Sequence, residues 1–137
     1  MMRILAIDYG TKRTGLAWTD PLGMFATRLE PVDTRELLPT LERYVREGPV
    51  GRIILGWPTN FDGSPTHATP HVEAFHQQLL ERFPGLEIEL FDEQMTTKRA
   101  RQAMLEGGAS RKQRRDKHLI NSLSAVILLQ DYLEEHP

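Results

Sequence analysis

Short apolar runs typical of strands alternate with helical patterns along most of this chain. Five segments have strand-like patterns: 3–8, 15–20, 25–32, 52–56 and 86–91. Helical patterns follow the third, fourth and fifth of these segments, and one more helix is predicted to end near residue 134. Asp33 or Thr34 is predicted to cap the first of these helices. An opening meander followed by strands that alternate with helices predicts an α/β fold, in which a mixed sheet carries helices on both faces.

The size and composition are those of one globular domain. The chain has 137 residues, of which 39% are hydrophobic and 26% are charged, so residues 1–137 are expected to form a single domain with its own core. The absence of cysteine excludes disulfides and thiolate metal sites. The first residues lack the pattern of a secretory leader, and no run approaches the ~20 apolar residues of a membrane span. We therefore expect a cytoplasmic protein with no membrane partner.

The positive charge of the chain is concentrated in one segment. The net charge is −2, but residues 98–117 include eight basic and two acidic residues, which leaves −8 for the remainder. A basic segment on an otherwise acidic protein predicts a polyanion, such as a nucleic acid, bound at one face. The basic residues of the segment are Lys98, Arg99, Arg101, Arg111, Lys112, Arg114, Arg115 and Lys117. The alternative is a solvated loop and helix face without a ligand.

Two carboxylates come at the ends of strand patterns. Asp8 ends the first strand, where a buried carboxylate is costly unless it is used, and Glu93 follows the fifth. If these strands are parallel, both residues lie at the carboxyl edge of the sheet, where ligands gather in such folds. Paired carboxylates there predict a site for Mg²⁺ or Mn²⁺. The alternatives are that Asp8 accepts hydrogen bonds from the turn after it, and that Glu93 is an ordinary strand-end residue.

The last helix has a polar residue at the head of an apolar line. Asn121, Ala125, Leu128 and Tyr132 follow one another at helical spacing, beside a broader face of aliphatic residues. Because this helix is apolar nearly all round, we expect it to lie buried against the sheet, with Asn121 near the edge where the two carboxylates meet. The alternative is that Asn121 caps the start of the helix.

Lys12 and Arg13 lie in the short turn that directly follows Asp8. Their charges are well placed to contact a phosphate of the bound nucleic acid. Basic residues further along the chain would then bind the neighbouring backbone, which gives affinity without sequence recognition. Those predicted to do so are Lys98, Arg111, Lys112, Arg114, Arg115 and Lys117. The alternative for Lys12 and Arg13 is a solvated hairpin tip.

Several motifs, taken in order, carry a resemblance to a known family. They are IDYGTKRTGLAWTD, GWPTNFDG, FDEQMTTKRA, GGASRKQRRDKHLINSLSA and ILLQDYL. Together they span nearly the whole chain and resemble the YqgF/RuvX family of RNase H-like nucleases. The resemblance implies an RNase H-like fold, with a five-stranded mixed sheet of order 3-2-1-4-5 flanked by helices. It also implies 5′-end processing of precursor 16S ribosomal RNA in ribosome biogenesis or, alternatively, Holliday junction resolution in DNA recombination and repair.

The resemblance implies a metal site of three acidic residues, and this chain departs from it at the third. Asp8 and Glu93 match the first two, whereas Asn121 stands where the family has an aspartate, and Gln94 replaces a usual arginine. An amide oxygen can bind a hard cation but brings no charge. We therefore expect Asp8, Glu93 and Asn121 to form the catalytic metal site, with weakened metal binding. The chain is then either a nuclease that demands more metal or a nucleic-acid-binding protein without catalysis.

Further patterns bear on ligands and assembly. His67 and His71 are four residues apart, but the helix is predicted to begin between them, and we do not expect a zinc site. The turn DYGTKRTG resembles the first phosphate loop of actin-like and sugar-kinase ATPases, which need two such domains to enclose ATP. Trp18 and Trp57 are predicted to be core residues. A monomer or weak homodimer is expected, since only a resolvase on a two-fold junction needs a dimer.

Overall fold

The computed structural model describes residues 2–58, 64–93, 107–108 and 117–136. At residue 93 and at residues 117–122 the description covers the backbone and not the side chains. The helix predicted over 97–106 and most of the basic segment lie outside the described residues. Within the described part of the chain, no helix is long and apolar enough to cross a membrane.

Six strands and three α-helices make up the described fold. The strands are β1 (Arg3–Asp8), β2 (Arg13–Thr19), β3 (Ala26–Arg28), β4 (Val32–Asp33), β5 (Val50–Pro58) and β6 (Glu87–Glu93). The helices are α1 (Leu37–Glu47), α2 (Thr69–Arg82) and α3 (Lys117–Glu135), and a 3₁₀ turn over Thr34–Glu36 precedes α1. The sheet order is β3-β2-β1-β5-β6, in which β1 is antiparallel to β2 and parallel to β5, and β5 is parallel to β6. The mixed sheet predicted from the sequence is thus confirmed.

The third predicted strand, over 25–32, is divided into two. Ala17 of β2 pairs with Arg28 of β3, and an uninterrupted ladder would place residue 31 opposite Thr14. Val32 of β4 stands there instead, so one extra residue is accommodated between β3 and β4. Pro31 lies in this interval and has no amide proton to donate to a ladder. Within the described residues the sheet therefore has six strands and not five, although its five principal strands follow the expected order 3-2-1-4-5.

Each face of the sheet has its own hydrophobic core, because side chains along a strand point alternately to the two faces. On one face, Leu5 packs in a core with Leu41 of α1 and Phe75 of α2. On the other face, Ala6 packs in a second core with Leu128 of α3. Each fully buried large side chain contributes about 1.5–3 kcal/mol. Helices therefore cover both faces, as predicted.

The helix starts and the burial of the two tryptophans agree with the predictions from the sequence. Asp33 accepts a hydrogen bond from the amide of Arg35 at 3.0 Å and caps the 3₁₀ turn before α1, which confirms a capping role there. The helix α2 begins at Thr69, as predicted. Trp18 and Trp57 are half-buried and pack against the core under α1 and α2, which confirms them as core residues.

Candidate active site at the carboxyl edge of the sheet

Asp8 ends the central strand of the sheet. The strand β1 pairs with β2 on one side and with β5 on the other, and Asp8 lies opposite Gly15 of β2. The side chain of Asp8 is half-buried and, by strand alternation, lies on the face of Ala6, which α3 covers. Asp8 therefore brings carboxylate oxygens to the carboxyl edge of the sheet, on the α3 side.

Glu93 ends β6 at the same edge. The strands β1, β5 and β6 run parallel, and Ile7, Leu55 and Leu90 are in register across them. Asp8 is therefore one residue past this level, and Glu93 is three residues past it. The parallel strand direction on which the sequence prediction depended is confirmed, and only β5 lies between the strands that carry Asp8 and Glu93.

The helix α3 approaches this edge with its first turns. Near the other end of the helix, Leu133 lines a surface pocket with Phe25, which directly precedes β3. The start of β3 pairs with the end of β2, and the end of β2 bonds to the start of β1, so this pocket lies at the edge of the sheet where β1 begins. In the same turn, the hydroxyl of Tyr132 donates a hydrogen bond of 2.9 Å to Glu89, which comes four residues before the end of β6. Position 121 is eleven residues earlier in the helix, about 16 Å along its axis. The start of α3 therefore lies toward the carboxyl edge.

Asn121 heads the line of α3 that faces the sheet. The helix begins at Lys117, so Asn121 is its fifth residue, and the alternative that Asn121 caps the helix is wrong. Ala125, Leu128 and Tyr132 follow Asn121 in the same line and are almost fully buried. The burial predicted for this line is confirmed at these three residues, and it gives Asn121 a position on the sheet-facing side of the helix.

The turn after Asp8 is held by hydrogen bonds from outside it. The hydroxyl of Thr34 donates to the carbonyl of Gly10 at 2.6 Å, and the amide of Thr34 donates to the carbonyl of Lys12 at 3.0 Å. The fully buried hydroxyl of Thr14 lies 2.9 Å from the hydroxyl of Thr34. The role of Thr14 and Thr34 in holding this turn was not predicted from the sequence, although a threonine among the inward-facing apolar residues of β2 is a recognisable signal.

Lys12 and Arg13 place two exposed cationic side chains at this edge. Arg13 begins β2 and, by strand alternation, lies on the face of the sheet that carries Asp8. Its partner in the ladder is Asp33, whose carboxylate accepts a hydrogen bond of 2.9 Å from Arg35. The hydrogen bonds from Arg35 lower the pKa of Asp33 to about 2, and the charge of Arg13 adds a smaller effect. Arg13 is thus close to the carboxylate of Asp33, whereas Lys12 lies within the turn that follows Asp8.

Other predicted binding residues fall outside the described part of the chain. They are Lys98, Arg111, Lys112, Arg114 and Arg115. Lys117 is described as the first residue of α3. Among the residues whose side chains are described, no three metal-binding side chains come together, but that set does not include the side chain of Glu93. The catalytic and metal-binding roles of Asp8, Glu93 and Asn121 therefore stay predictions.

The family of the chain is shown by comparison with known proteins. The family model described as "RuvX: Holliday junction resolvase" matches residues 2–135. This chain belongs to the RuvX family. The resemblance carried by the sequence motifs is therefore confirmed.

Two curated relatives of this RuvX-family chain are similar to it over nearly their whole length. A protein of Christiangramia forsetii, named "Putative pre-16S rRNA nuclease", is 44% identical over 135 residues, which cover 98% of this chain and 100% of that protein. A protein of Phocaeicola vulgatus with the same name is 44% identical over 134 residues, which cover 98% of this chain and 96% of that protein.

A solved structure confirms the RNase H-like fold of this RuvX-family chain. The structure is "T. thermophilus RuvC in complex with Holliday junction substrate", which matches with a TM-score of 0.61 over 99% of this chain and 97% of that one. The two sequences are 15% identical, so this likeness concerns the fold alone.

Proposed function

We propose that this RuvX-family chain is a metal-dependent nuclease that processes the 5′ end of precursor 16S ribosomal RNA in ribosome biogenesis. The names of its full-length relatives support this substrate. The observation that carries the proposal is the parallel arrangement of β1, β5 and β6, which brings Asp8 and Glu93 to one edge of the sheet. Metal-assisted phosphodiester hydrolysis depends more on carboxylates that hold the metal than on a general base, and paired carboxylates at a strand edge supply such ligands.

Asp8, Glu93 and Asn121 would hold Mg²⁺ or Mn²⁺ at this edge. The residues fit such an ion, because the half-buried carboxylate of Asp8 and the amide oxygen of Asn121 are hard ligands. When bound, the ion activates a water molecule and stabilises the leaving oxygen of an in-line displacement.

The remaining residues of the site would bind and orient the substrate. Lys12 and Arg13 neutralise the phosphate that is cut, and the predicted basic residues of the segment 98–117 bind the neighbouring backbone. The hydrogen bonds from Thr34 fix the turn that carries Lys12, so its backbone need not be ordered when the substrate binds.

Asn121 determines how well this site works. A neutral residue at the third position makes the formal charge of the ligand set less negative, −2 in place of −3, which weakens metal binding. A nuclease with this site needs more metal, and in the limit the chain binds nucleic acid without cutting it. The description of the matching family, "Holliday junction resolvase", favours branched DNA as the alternative substrate.

A cleavage assay with two substrates tests the proposal. End-labelled precursor 16S RNA and a four-way DNA junction are incubated at several Mn²⁺ concentrations with the wild type, Asp8→Asn and Asn121→Asp. Asp131→Asn is the matched control, because it removes a carboxylate from α3 about 15 Å from position 121. We expect the wild type and Asp131→Asn to cut the RNA at its 5′ side, and Asp8→Asn to be inactive.

The other outcomes are equally informative. Cutting of the junction and not of the RNA would show that branched DNA is the substrate. If the wild type cuts neither substrate and the Asn121→Asp variant is active, the chain is a nucleic-acid-binding protein whose nuclease site is inactive. Metal-dependent cutting that survives in Asp8→Asn would exclude this edge of the sheet as the catalytic site.

A further inference from the structure

A surface pocket of about 310 Å³ opens beside the turn that follows Asp8. Of the residues that the structure describes, those that line it are Tyr9, Gly10, Thr11, His67, Ala68 and His71. Tyr9 follows Asp8 directly, so the pocket and the candidate active site share the carboxyl edge of β1. By strand alternation Asp8 lies on the α3 side of that edge and Tyr9 on the α2 side. The pocket is therefore next to the candidate active site, on the opposite face of the sheet.

Two elements hold the walls of this pocket in place. The ring of Tyr9 stacks on the buried ring of Phe75, with 4.7 Å between centroids and 24° between planes. The start of α2 is anchored to the end of β5, since the buried hydroxyl of Thr69 donates to the carbonyl of Pro58 at 2.9 Å. The same hydroxyl accepts a hydrogen bond of 2.9 Å from the amide of Thr66. The pocket is thus preformed, which lowers the entropic cost of filling it.

His67 and His71 supply the polar part of the wall. His67 precedes α2, and His71 lies in its first turn, where its amide donates to the carbonyl of Ala68 at 3.0 Å. Both side chains are exposed and line the same pocket. An imidazole can donate or accept a hydrogen bond, and its ring can also stack on a base. As hydrogen-bond donors, the two imidazoles can bind the oxygens of a phosphate.

We propose that this pocket binds one nucleotide of the nucleic-acid substrate, the one next to the phosphate that is cut. The inference rests on the proposed function. A nucleotide combines a flat base with an anionic phosphate, and the pocket combines an aromatic wall with two imidazoles. Its volume is at the lower end of the ~300–1,000 Å³ range of small-ligand pockets, as suits one base. A strand that crosses the edge of the sheet from Asp8 to Tyr9 occupies both sites at once.

The test is the affinity of the double variant His67→Gln/His71→Gln for single-stranded RNA. Fluorescence anisotropy of a short labelled RNA gives the Kd at one salt concentration, with EDTA present so that no cutting takes place. We expect the Kd to rise about five- to tenfold, since base stacking and hydrogen bonding in the pocket are weakened. His76→Gln is the matched control, because His76 is on α2 but does not line the pocket.

Two variants of Tyr9 test the aromatic wall. Tyr9→Phe keeps the ring and should bind RNA with an affinity close to that of the wild type. Tyr9→Leu removes the ring and should weaken binding by a similar factor to the histidine variant. Thermal melting shows whether each variant is folded. This control matters most for Tyr9→Leu, because that variant loses the ring stacking on Phe75.

Failure of this inference and failure of the proposed function give different results. If the double histidine variant binds RNA with wild-type affinity and still cuts it, nucleotide binding in the pocket is excluded and the proposed nuclease activity is not. Weaker RNA binding in that variant and not in His76→Gln, by a protein that cuts neither substrate, would support nucleotide binding and overturn the nuclease. Zn²⁺ binding that the double variant loses, with unchanged RNA affinity, would also overturn the inference.

Discussion

The hydroxyl of Thr34 donates a hydrogen bond of 2.6 Å to the carbonyl of Gly10, across 24 residues of sequence. The amide of Thr34 donates to Lys12 in the same turn. One residue at the entrance to α1 therefore fixes two carbonyls of the turn that follows Asp8. The placement of this turn depends on the packing of α1 as well as on the local sequence.

Replacing Thr34 with valine should loosen this turn while keeping the shape of the side chain. We expect the free energy of unfolding to fall by about 1 kcal/mol, the usual effect of one lost hydrogen bond. The rate of RNA cutting at saturating Mn²⁺ should fall as well, because Lys12 is less well positioned. Urea unfolding and the cleavage assay measure the two effects.

Thr40→Val is the control for this variant. The hydroxyl of Thr40 donates to the carbonyl of Glu36 at 2.8 Å, within α1 and away from the turn. Its removal should leave the cleavage rate unchanged. Equal loss of activity in both variants would show that α1 as a whole, and not Thr34, supports the site.

Gly10 is required by a close approach of two backbone segments. A Cβ atom at this position would lie 2.2 Å from the carbonyl oxygen of Arg13, a backbone atom that cannot move aside cheaply. We expect Gly10→Ala to lower the free energy of unfolding by about 1–3 kcal/mol. At Gly85 a Cβ atom would meet nothing within 4 Å, so Gly85→Ala should change the stability by less than about 0.5 kcal/mol. Similar urea midpoints for the two variants would contradict this account.

The sequence was sufficient to predict the edge at which the candidate site lies. Asp8 and Glu93 come at the ends of apolar strand patterns, and parallel strands bring such ends together whatever the details of packing. Asp33 or Thr34 was predicted to cap the next helix, and Asp33 caps the 3₁₀ turn that leads into it, because this role depends on a residue two positions away. Features with local causes were therefore predictable.

Features with distant causes were not. The break between β3 and β4 depends on Pro31 and on pairing with β2, which no periodicity reveals. The stacking of Tyr9 on Phe75 joins residues 66 positions apart, and only the packing of α2 on the sheet brings them together. Tyr132 was predicted as an apolar member of a helical line, whereas its hydroxyl bonds to Arg52 from β5.

Tyr132 should stabilise the fold through its hydroxyl as well as its ring. The hydroxyl lies between Arg52, whose Nη1 donates to it at 2.6 Å, and Glu89, to which it donates at 2.9 Å. Tyr132→Phe leaves both charged partners with one bond fewer, so we expect a loss of about 1–3 kcal/mol in urea unfolding. Tyr44→Phe, at a half-buried tyrosine of α1, is the control and should cost less.

The same residue should make the fold sensitive to alkali. Burial, together with the hydrogen bond to Glu89, raises the pKa of Tyr132 above its ordinary value of about 10. The folded state thus favours the neutral phenol, and this contribution is fully present below the unfolded pKa and is lost as the pH rises through the folded pKa. Tyr132→Phe should remove part of the fall in stability above about pH 10. An identical alkaline profile in wild type and variant would refute this role.

Asp33 should titrate at an unusually low pH. Hydrogen bonds from Arg35 lower its pKa to about 2, so the contribution of this contact is present above the ordinary value of 3.8 and is lost as the pH falls toward 2. In Arg35→Gln the pKa of Asp33 should move back toward 3.8, which the carboxyl ¹³C shift of Asp33 measures. Arg46→Gln, which breaks an exposed ion pair with Glu47, should leave that shift unchanged. A midpoint near 2 in both variants would assign the effect to other neighbours.

Asn121→Asp should strengthen metal binding if position 121 belongs to the ligand set. The helical line that Asn121 heads faces the sheet, and a third carboxylate there would make the formal charge of the set more negative, −3 in place of −2. We expect the Kd for Mn²⁺, measured by calorimetry, to fall about tenfold, because ligand charge sets the affinity of such sites. Without metal the variant should be less stable than the wild type, since three carboxylates then repel one another.

Gln130→Glu separates a site effect from a general charge effect. Gln130 is exposed on α3, so the variant adds the same charge to the same helix at the far end from Asn121. Its Mn²⁺ affinity should match that of the wild type. If Asn121→Asp also matches the wild type while Asp8→Asn binds no Mn²⁺, position 121 is outside the ligand set, and the missing aspartate then has no bearing on catalysis. Tighter binding without restored cutting would mean instead that metal affinity is not what limits this chain.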